Sequence, residues 1–317
     1  MVLLPPLQLE PRLDSRVWGG THLAPWLGLA AAPAPLAEVW LVYAENRIAG
    51  GPLAGLTLAE ATVRHGADLV GTVNLARTGA QFPLLAKFLD AAEHLSVQVH
   101  PDDAYAHTVE VASGFNGKTE AWYILRAEPQ AEVIHGFAAP TDRATCAAGV
   151  SDGSVIDLLR RVPAQAGETI FVPAGTIHAI NAGVMLFEIQ QTSDLTYRVY
   201  DYGRPRELHL DRALAVLNYD LSPAAVVASQ PLDATRTRLV ACEYFTMERW
   251  SLSAPVSAST DRATFEILTV VEGAATLQTA HGRLDLGCGA AVVLPASLGS
   301  YTIEPQPAST ILRCTAP

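Results

Sequence analysis

Gly167-Glu168-Thr169-Ile170-Phe171-Val172-Pro173-Ala174 decides the fold of this chain, because residues 289–296 repeat its pattern as Gly-Ala-Ala-Val-Val-Leu-Pro-Ala. Both stretches join a glycine turn, an apolar strand and a Pro-Ala turn, which is typical of double-sheet jelly rolls. Glu128 and Glu272, each at the end of an earlier apolar run, can be paired in the same way. The repeat predicts two jelly rolls. Chance similarity between strands rich in Ala and Val is the competing interpretation.

Short apolar runs between turn residues predict a mainly β chain, because 23 Gly and 21 Pro divide the sequence. The strands predicted for the first jelly roll are Leu84–Leu89, Leu95–His100, Glu120–Leu125, Thr169–Val172, Val184–Gln190 and Tyr197–Tyr200. The strands predicted for the second are Leu239–Trp250, Phe265–Val271, Ala274–Gln278, Ala291–Leu294, Tyr301–Ile303 and Thr310–Arg313.

A few helices are predicted, all in the first jelly roll. Thr57-Leu58-Ala59-Glu60 is a capping-box pattern, and Gly66 is a plausible stop for the helix that it begins. The helical spacing of apolar residues predicts a second helix at Ser154–Arg161 and a third at about Leu208–Leu217. The helix at Ser154–Arg161 would fill an insertion that enlarges the first copy. A Pro- and Ala-containing stretch from Ser222 to Ala234 predicts a linker between the two copies.

The composition is that of a globular protein of about two domains, since 317 residues are roughly twice a typical domain length. Hydrophobic residues make up 50% and charged residues 17%, which excludes a disordered chain. The net charge of −11 argues against a general nucleic-acid binder. An anionic small molecule stays compatible with this charge, because a few basic residues can line one pocket.

Membrane-spanning and secretory segments are not expected. No apolar run approaches the length of about 18 residues that a membrane span needs, and the first residues lack a basic stretch before their apolar ones. The 4 Cys are widely spaced and form no CxxC pair, which favours free thiols over a disulfide framework. We therefore expect a cytoplasmic protein.

The segment Leu95–Asp103 carries the strongest chemical pattern. Strand side chains alternate between the two faces of a sheet. Ser96, Gln98 and His100 therefore share one face, while the residues between them are apolar. A polar face of this kind is natural if it lines a pocket. Lys118 and Glu120 follow at the start of the next strand.

A second histidine, His178, comes directly after the predicted turn at Pro173–Thr176. Two imidazoles, one carboxylate and one amide oxygen, from His100, His178, Glu120 and Gln98, make a set of nitrogen and oxygen ligands. Zn²⁺ suits this set best, with Fe²⁺, Mn²⁺ or Co²⁺ as alternatives.

Four motifs in this order resemble those of the type I mannose-6-phosphate isomerases in their short bacterial form. They are Gln98–Asp103, Lys118–Tyr123, Phe171–Ala179 and Glu188–Tyr202, and the shorter segments Arg16–Gly20 and Lys87–Ala91 resemble the same family. The resemblance covers about residues 12 to 220. The family has the cupin fold, so the resemblance implies two cupin-type jelly rolls.

The resemblance implies one zinc ion per chain, held by Gln98, His100, Glu120 and His178. It implies that Arg198 is the active-site arginine, and that the chain interconverts mannose 6-phosphate and fructose 6-phosphate through an enediolate. The chain departs from the family pattern at Ala37, Val39 and Ala121, positions that we expect to be peripheral.

The chemistry assigns further roles. A guanidinium beside the metal adds a fixed positive charge that stabilises an enediolate, and Arg198 shares a strand face with Thr196 after the predicted turn at Ser193–Asp194. The substrate phosphate needs cationic and hydroxyl partners, for which Lys118, Arg204 and Ser96 are the candidates. For the proton-transfer base, Asp194, Glu188 and a zinc-bound water all remain open.

Two other functions compete with the isomerase. A non-catalytic sugar-phosphate-binding cupin would lack part of the metal set or the arginine, whereas this chain has both. A cupin dioxygenase would use two His and one carboxylate to bind iron, but Gln98, Lys118 and Arg198 favour an anionic substrate. We expect a phosphorylated hexose as the partner, no nucleic acid or membrane, and a monomer or weak homodimer.

The domain prediction follows from these assignments. Residues 1–235 should form a metal-binding catalytic cupin domain with an N-terminal arm and helical insertions, and residues 236–317 a metal-free jelly roll. On the repeat, the counterparts of His100, Glu120 and His178 are Tyr244, Thr264 and Ser300. None of these three replacements is a good zinc ligand.

Overall fold

The computed structural model describes residues 3–221 and 224–317, and antiparallel strands make up most of its regular structure. The prediction of a mainly β fold is therefore confirmed. Ser222 and Pro223, within the predicted linker, lie outside the described residues. Among the described helices, none has the length and apolar character to cross a membrane.

Two sheets form the N-terminal part and pack face to face. Their strands are β1 Arg12–Asp14, β2 Glu38–Val42, β3 Leu84–Ala91, β4 Val97–Val99, β5 Glu120–Ala127, β6 Glu132–Phe137, β7 Leu159–Pro163, β8 Thr169–Val172, β9 His178–Ile180, β10 Val184–Gln191 and β11 Tyr197–Tyr200. One sheet has six strands in the order β1-β2-β3-β10-β5-β8, and the other has five in the order β11-β4-β9-β6-β7. Trp122 and Val184 from the first sheet share an apolar cluster with Val133 and Ile180 from the second.

The C-terminal part is one eight-stranded antiparallel sheet that curls around its own apolar cluster. Its strands are β12 Gln230–Pro231, β13 Arg236–Ala241, β14 Thr246–Leu252, β15 Val256–Ser259, β16 Glu266–Thr279, β17 Gly282–Leu286, β18 Ala291–Leu294 and β19 Ser300–Thr315. Two of these strands are longer than predicted. β16 and β19 each run through a segment expected to be a turn, because register shifts in their pairing let the strands bend without ending.

The repeated stretch makes the same hydrogen bonds in both parts of the chain. The amide of Gly167 donates to the carbonyl of Ile124 at 2.8 Å, and the amide of Gly289 donates to the carbonyl of Val270 at 2.8 Å. After each strand, the Pro-Ala turn closes with a bond from the amide three residues on to the proline carbonyl, as in Thr176 to Pro173. The predicted repeat thus has a counterpart in the backbone pairing.

This pairing changes one detail of the predicted alignment. Glu120 lies opposite Val172, and Glu266 lies opposite Leu294 in the corresponding pair of strands. The counterpart of Glu120 is therefore Glu266, and the alignment of Glu120 with Thr264 is wrong by two residues. A shift of two residues leaves a side chain on the same face of the strand. An alternating pattern therefore cannot detect this error.

Glu266 is buried in an ion pair with an arginine of the same sheet. Arg313 donates from Nε and Nη2 to the two carboxylate oxygens of Glu266 at 2.8 and 2.9 Å. The hydroxyl of Tyr301 donates to Glu266 Oε2 at 2.6 Å. This carboxylate therefore has its charge and its lone pairs satisfied by side chains of the C-terminal part itself.

The helices agree with the sequence only in part. The predicted capping box of Thr57 and Glu60 forms, Gly66 ends that helix, and the helix expected at about Leu208–Leu217 is also present. The helices are α1 Leu23–Trp26, α2 Leu58–His65, α3 Ala67–Val70, α4 Thr72–Thr78, α5 Asp103–Thr108, α6 Arg143–Asp152 and α7 Leu210–Val216.

The helix predicted at Ser154–Arg161 is wrong. Ser154–Leu158 is a 3₁₀ turn that leads directly into β7, and the helix of this region is α6, which ends at Gly153 with a φ of +85°. The helix α6 escaped prediction because it is rich in alanine and buries only small residues, Cys146 and Gly149, so it carries no apolar period.

The predicted linker is docked rather than free over its described residues. Val226 bridges Ile170, the amide of Val227 donates to Thr169, and the amide of Phe171 donates to Ala225. These bonds satisfy the outer edge of β8, which would otherwise present unpaired backbone groups to water.

Helix α4 fixes the N-terminal part against the C-terminal part. The amides of Thr72 and Val73 at its first turn donate to the carbonyls of Arg262 and Ala263 at 3.0 and 3.1 Å. Gly71, which precedes the helix, has a φ of +91° and a ψ of 161°. A Cβ atom at this position would overlap the carbonyl oxygen of Ala263.

Gly71→Ala should therefore destabilise the protein through this junction. Gly79→Ala is the matched control, since Gly79 has a similar glycine-only backbone conformation, φ 64° and ψ −149°, but no described atom within 4 Å of its Cβ position. Both variants strain the backbone, and we expect Gly71→Ala to lose about 1 to 3 kcal/mol more from overlap. Denaturant unfolding measures the difference. Equal losses would show that the junction tolerates a side chain.

Candidate active site

A cavity of about 830 Å³ opens between the two N-terminal sheets. Its wall is strongly polar and holds both charge signs, although the surrounding sheet faces are apolar. The charged and polar residues that line it include Arg12, Arg16, Glu38, Lys87, Ser96, Gln98, Lys118, Glu120, Glu188, Asp194, Arg198 and Arg206.

Two imidazoles and a carboxylate meet at the floor of this cavity. Glu120 comes from β5 of one sheet, while His178 begins β9 of the other and His100 follows β4. One ligand atom from each of the three lies within 4.8 Å of the others, and all three residues are buried. Nε2 of His178 is 3.3 Å from Oε1 of Glu120, and Nε2 of His100 is 3.5 Å from Oε2.

Hydrogen bonds at Nδ1 of both imidazoles determine which ring nitrogen carries the proton. Nδ1 of His100 contacts the carbonyl of Leu195 at 2.8 Å, and Nδ1 of His178 contacts the carbonyl of Thr176 at 2.8 Å. A carbonyl only accepts, so each Nδ1 is the donor and each Nε2 turns a lone pair toward Glu120. This is the arrangement that metal-binding histidines adopt. The donor set therefore fits a divalent metal such as zinc.

Gln98 is placed to be a fourth ligand. It lies opposite His178 in the pairing of β4 with β9, and its amide nitrogen is 3.3 Å from Nε2 of His178. The oxygen and nitrogen of a side-chain amide exchange places by a half-turn of the group. That turn would direct Oε1 of Gln98 toward the same point as the two imidazoles.

Lys118 reaches into this cluster from the adjoining end of β5. Its ammonium donates to Oε2 of Glu120 at 2.5 Å and to Nε2 of His100 at 2.9 Å. Burial opposes ionisation of Glu120, but the charge of Lys118 outweighs it and holds the pKa of Glu120 well below its usual range. Burial lowers the pKa of His178 to about 3. Both states, an ionised carboxylate and a neutral imidazole, are those that bind metal.

The charges beside the cluster alternate in sign across neighbouring strands. Lys87 is 3.1 Å from Glu38 and 3.6 Å from Glu188, and Glu188 is 3.7 Å from Lys118. Burial raises the pKa of Glu188 to about 7, and the nearby charge of Glu120 acts in the same direction. Lys87 and Glu38 were not predicted as site residues, although Glu38-Val39-Trp40 alternates polar and apolar positions as Gln98-Val99-His100 does.

Arg198 and Ser96 lie together in the cavity wall. Arg198 is opposite Gln98 in the pairing of β11 with β4. Its Nε donates to Oγ of Ser96 at 3.3 Å, and its Nη1 donates to the carbonyl of Glu207 at 2.7 Å. Burial lowers the pKa of Arg198, and the positive charge of Arg206 lowers it further.

Arg204 is a predicted site residue that the structure places away from both the cavity and the metal-ligand cluster. It lies beside a separate surface pocket with His94, whose carbonyl accepts from Nη2 of Arg204 at 2.9 Å. The cavity is instead lined by Arg206, two residues later. Both arginines follow a turn with positive φ at Tyr202 and Gly203. A further bend, in which the amide of Arg206 donates to the carbonyl of Arg204 at 2.8 Å, lies between them.

Asp194 and Glu188, the carboxylates considered as bases, both line the cavity. The positions where the chain departs from the family pattern do not line it. Val39 and Ala121 pack in one apolar cluster and Ala37 in another. They alternate with cavity residues along β2 and β5, which is why substitutions there leave the polar wall intact.

Comparisons with known proteins place this geometry in a family. Residues 7–122 match the model of the type I phosphomannose isomerase catalytic domain, and residues 235–311 match that of the mannose-6-phosphate isomerase cupin domain. The chain is 36% identical to mannose-6-phosphate isomerase ManA of Bacillus subtilis over 94% of this chain and 96% of that protein.

Solved structures give a similar result. The crystal structure of the mannose 6-phosphate isomerase from Bacillus subtilis superposes with a TM-score of 0.86 at 32% identity, over 98% of this chain and 99% of that one. A mannose 6-phosphate isomerase crystallised with zinc bound shares the fold, with a TM-score of 0.78 at 20% identity over 98% of this chain and 99% of that one.

His178→Ala should remove bound metal. We expect about one divalent ion in the unmodified chain and much less in the variant, because one of the ligands that converge on this point is lost. Elemental analysis of the purified proteins measures both. His135→Gln is the control, since His135 is also buried but donates from Nε2 to the carbonyl of Phe171 at 2.8 Å.

The same measurement tests the C-terminal part. Because Glu266 is already paired with Arg313, we expect no metal there. A full equivalent of metal remaining in the His178→Ala variant would show that the ligand set is wrong, or that a second site exists within residues 236–317.

Proposed function

This chain belongs to the type I mannose-6-phosphate isomerase family, and we propose that it interconverts mannose 6-phosphate and fructose 6-phosphate in the cavity between its two N-terminal sheets. The observation that carries the proposal is the convergence of His100, Glu120 and His178 beside Arg198, Lys118 and Ser96 in one polar cavity. An isomerase of this kind needs a metal site and fixed positive charge next to an open sugar chain.

Zinc, one ion per chain, is the cofactor in this proposal, with Gln98, His100, Glu120 and His178 as its ligands. When bound, the ion supplies a Lewis acid that stabilises negative charge on the sugar oxygens. The residues around it then have separate tasks. The carbonyls of Leu195 and Thr176 hold the imidazoles in place, and Lys118, which bonds to Glu120, can turn its remaining N–H groups toward a sugar hydroxyl.

Arg198 is proposed to stabilise the enediolate. Its guanidinium is held on two sides, by Ser96 and by the carbonyl of Glu207, so it does not need to reorganise when charge develops on the substrate. Its strand partner is Gln98, which places the positive charge next to the proposed metal ligands. Ser96 and Lys118 are proposed to bind the substrate from the same side.

Glu188 is the carboxylate that we propose as the proton carrier between C1 and C2. It lines the cavity, and within the described residues its Oε1 makes no hydrogen bond although it is buried. Burial raises its pKa to about 7, and a base works best when its pKa is near the working pH. Asp194 is the competing carboxylate.

Three further proposals concern the whole chain. We propose a domain boundary at 235/236, since every strand of the eight-stranded sheet except the two-residue β12 follows it. A monomer or weak homodimer and a cytoplasmic location remain predictions. The four cysteines are all free, as expected for a cytoplasmic protein. Sedimentation velocity measures the oligomeric state.

Arg198→Ala should lower kcat by about 10²-fold or more, because its charge acts mainly on the transition state. Metal content should stay near that of the unmodified enzyme, since arginine is not a ligand. Lys118→Ala should act mainly through KM, as a residue that binds substrate in both states does. A coupled assay with mannose 6-phosphate, with metal analysis of each variant, measures these effects. A normal kcat with a raised KM in Arg198→Ala would make Arg198 a binding residue.

Glu188→Gln and Asp194→Asn separate the two candidate bases. Each change keeps the shape of the side chain and removes its ability to take a proton. We expect Glu188→Gln to lower kcat by about 10²-fold or more and Asp194→Asn to lower it much less. The reverse order would transfer the role to Asp194. Oxygen consumption by the iron-loaded protein, or mannose 6-phosphate binding without turnover, would instead support one of the two competing functions.

A further inference from the structure

Asp201, directly after β11, binds Arg206, an arginine of the cavity wall. Its buried carboxylate accepts from Nε of Arg206 at 2.6 Å and from Nη2 of Arg206 at 2.7 Å. A second arginine, Arg204, contacts the same carboxylate at 2.7 Å. One carboxylate thus anchors two guanidinium groups, of which only Arg206 lines the cavity.

The backbone turns sharply just before the two arginines. Tyr202 and Gly203 have φ values of +53° and +78°, and the amide of Arg204 donates to the carbonyl of Asp201 at 3.0 Å. This is a tight turn of the kind that requires two residues of positive φ. A non-glycine residue rarely adopts such a φ, so the strain at Tyr202 is compensated by the contacts of the turn.

The contact with Asp201 leaves one edge of the Arg206 guanidinium for a ligand. An arginine has five N–H donors, and Asp201 engages one on Nε and one on Nη2. One donor on Nη1 and the second on Nη2 form the other edge of the planar group. That edge has the geometry for bidentate binding of a phosphate.

This end of the cavity has an excess of positive charge. Arg198, Arg204 and Arg206 outnumber the carboxylates of Asp201 and Glu207 around the turn. Arg12 and Arg16, which also line the cavity, share Asp14 at 2.8 and 3.1 Å, and Arg16 also lies 3.9 Å from Glu38. The charges around these two arginines are therefore closer to balance.

Arg198 and Arg206 supply two separate cations to the wall of the cavity. Gln98, a proposed metal ligand, is the strand partner of Arg198, so Arg198 lies beside the carbons that react. Arg206 belongs to the turn that follows Arg198 and reaches the same cavity. The phosphate of the substrate is on the carbon farthest from the reacting pair, which requires a second cation at a distance from the first.

We propose that Arg206, oriented by Asp201, is the residue that recognises the phosphate of the substrate. The inference rests on the proposed function, because it assumes that the reacting carbons lie at the metal ligands. Asp201 is a positioning residue, and Arg204 has no contact with the substrate.

Arg206→Ala is the main test. We expect KM for mannose 6-phosphate to rise about 10- to 100-fold, the loss expected for charge-assisted hydrogen bonds, with kcat changed by much less. The inhibition constant of inorganic phosphate, used as a competitive probe, should rise by a similar factor. Arg206→Lys should have a KM and a phosphate inhibition constant between those of the unmodified enzyme and those of Arg206→Ala, because an ammonium lacks the second edge of the guanidinium. Asp201 stays paired with Arg204 in both variants, so folding should survive.

Arg204→Ala is the matched comparison, since Arg204 binds the same carboxylate but faces the other pocket. We expect its KM and its phosphate inhibition constant to stay within about twofold of the unmodified enzyme. A larger effect at Arg204 than at Arg206, or an unchanged phosphate inhibition constant in Arg206→Ala, would overturn the inference while the isomerase function stands.

Failure of the proposed function would look different. An unmodified, zinc-loaded protein that does not turn over mannose 6-phosphate would overturn the isomerase proposal. Calorimetric titration with inorganic phosphate would still test the anion site in that case. Binding that is lost in Arg206→Ala and kept in Arg204→Ala supports the site, and binding that is equal in both refutes it.

Discussion

The buried carboxylate of Glu120 is the constraint around which the rest of the site is arranged. An ionised carboxylate in a protein interior is stable only if positive charge and hydrogen bonds replace the water that it has lost. Here the ammonium of Lys118 supplies both to Glu120, and two imidazole nitrogens approach the same carboxylate from the other sheet. The same arrangement that stabilises the charge also presents a set of metal ligands. Folding of the two sheets and formation of the site are therefore one event.

The charges next to Glu120 extend this arrangement across the sheet. Glu38, Lys87, Glu188, Lys118 and Glu120 alternate in sign on neighbouring strands. Each charge lowers the free-energy cost of burying the next one. Ionisation is least favourable at Glu188, whose pKa is raised to about 7 by burial and by Glu120. A group that is nearly balanced between its two protonation states is suited to carry a proton. The stability of the row and the proposed role of Glu188 as a proton carrier therefore have the same cause.

Sequence patterns predicted what depends on neighbouring residues and missed what depends on distant ones. Alternation along one strand identified Gln98 and His100, and a tight turn placed His178. The row that includes Lys87 and Glu38 could not be predicted in this way, because it is created by the pairing of β2, β3 and β10. The choice between Arg204 and Arg206 depends on the path of the chain after Tyr202, whose positive φ no rule for tyrosine predicts.

The shared hydrogen-bond register of the two parts of the chain shows that one position in the pairing can serve two ends. Glu120 and Glu266 occupy the same place in the pairing, yet one faces two imidazoles and the other a guanidinium. A buried acid at this position is thus compatible with the strand pairing in either setting. The side chains around the acid decide whether it stays open to a ligand or is neutralised by the protein itself.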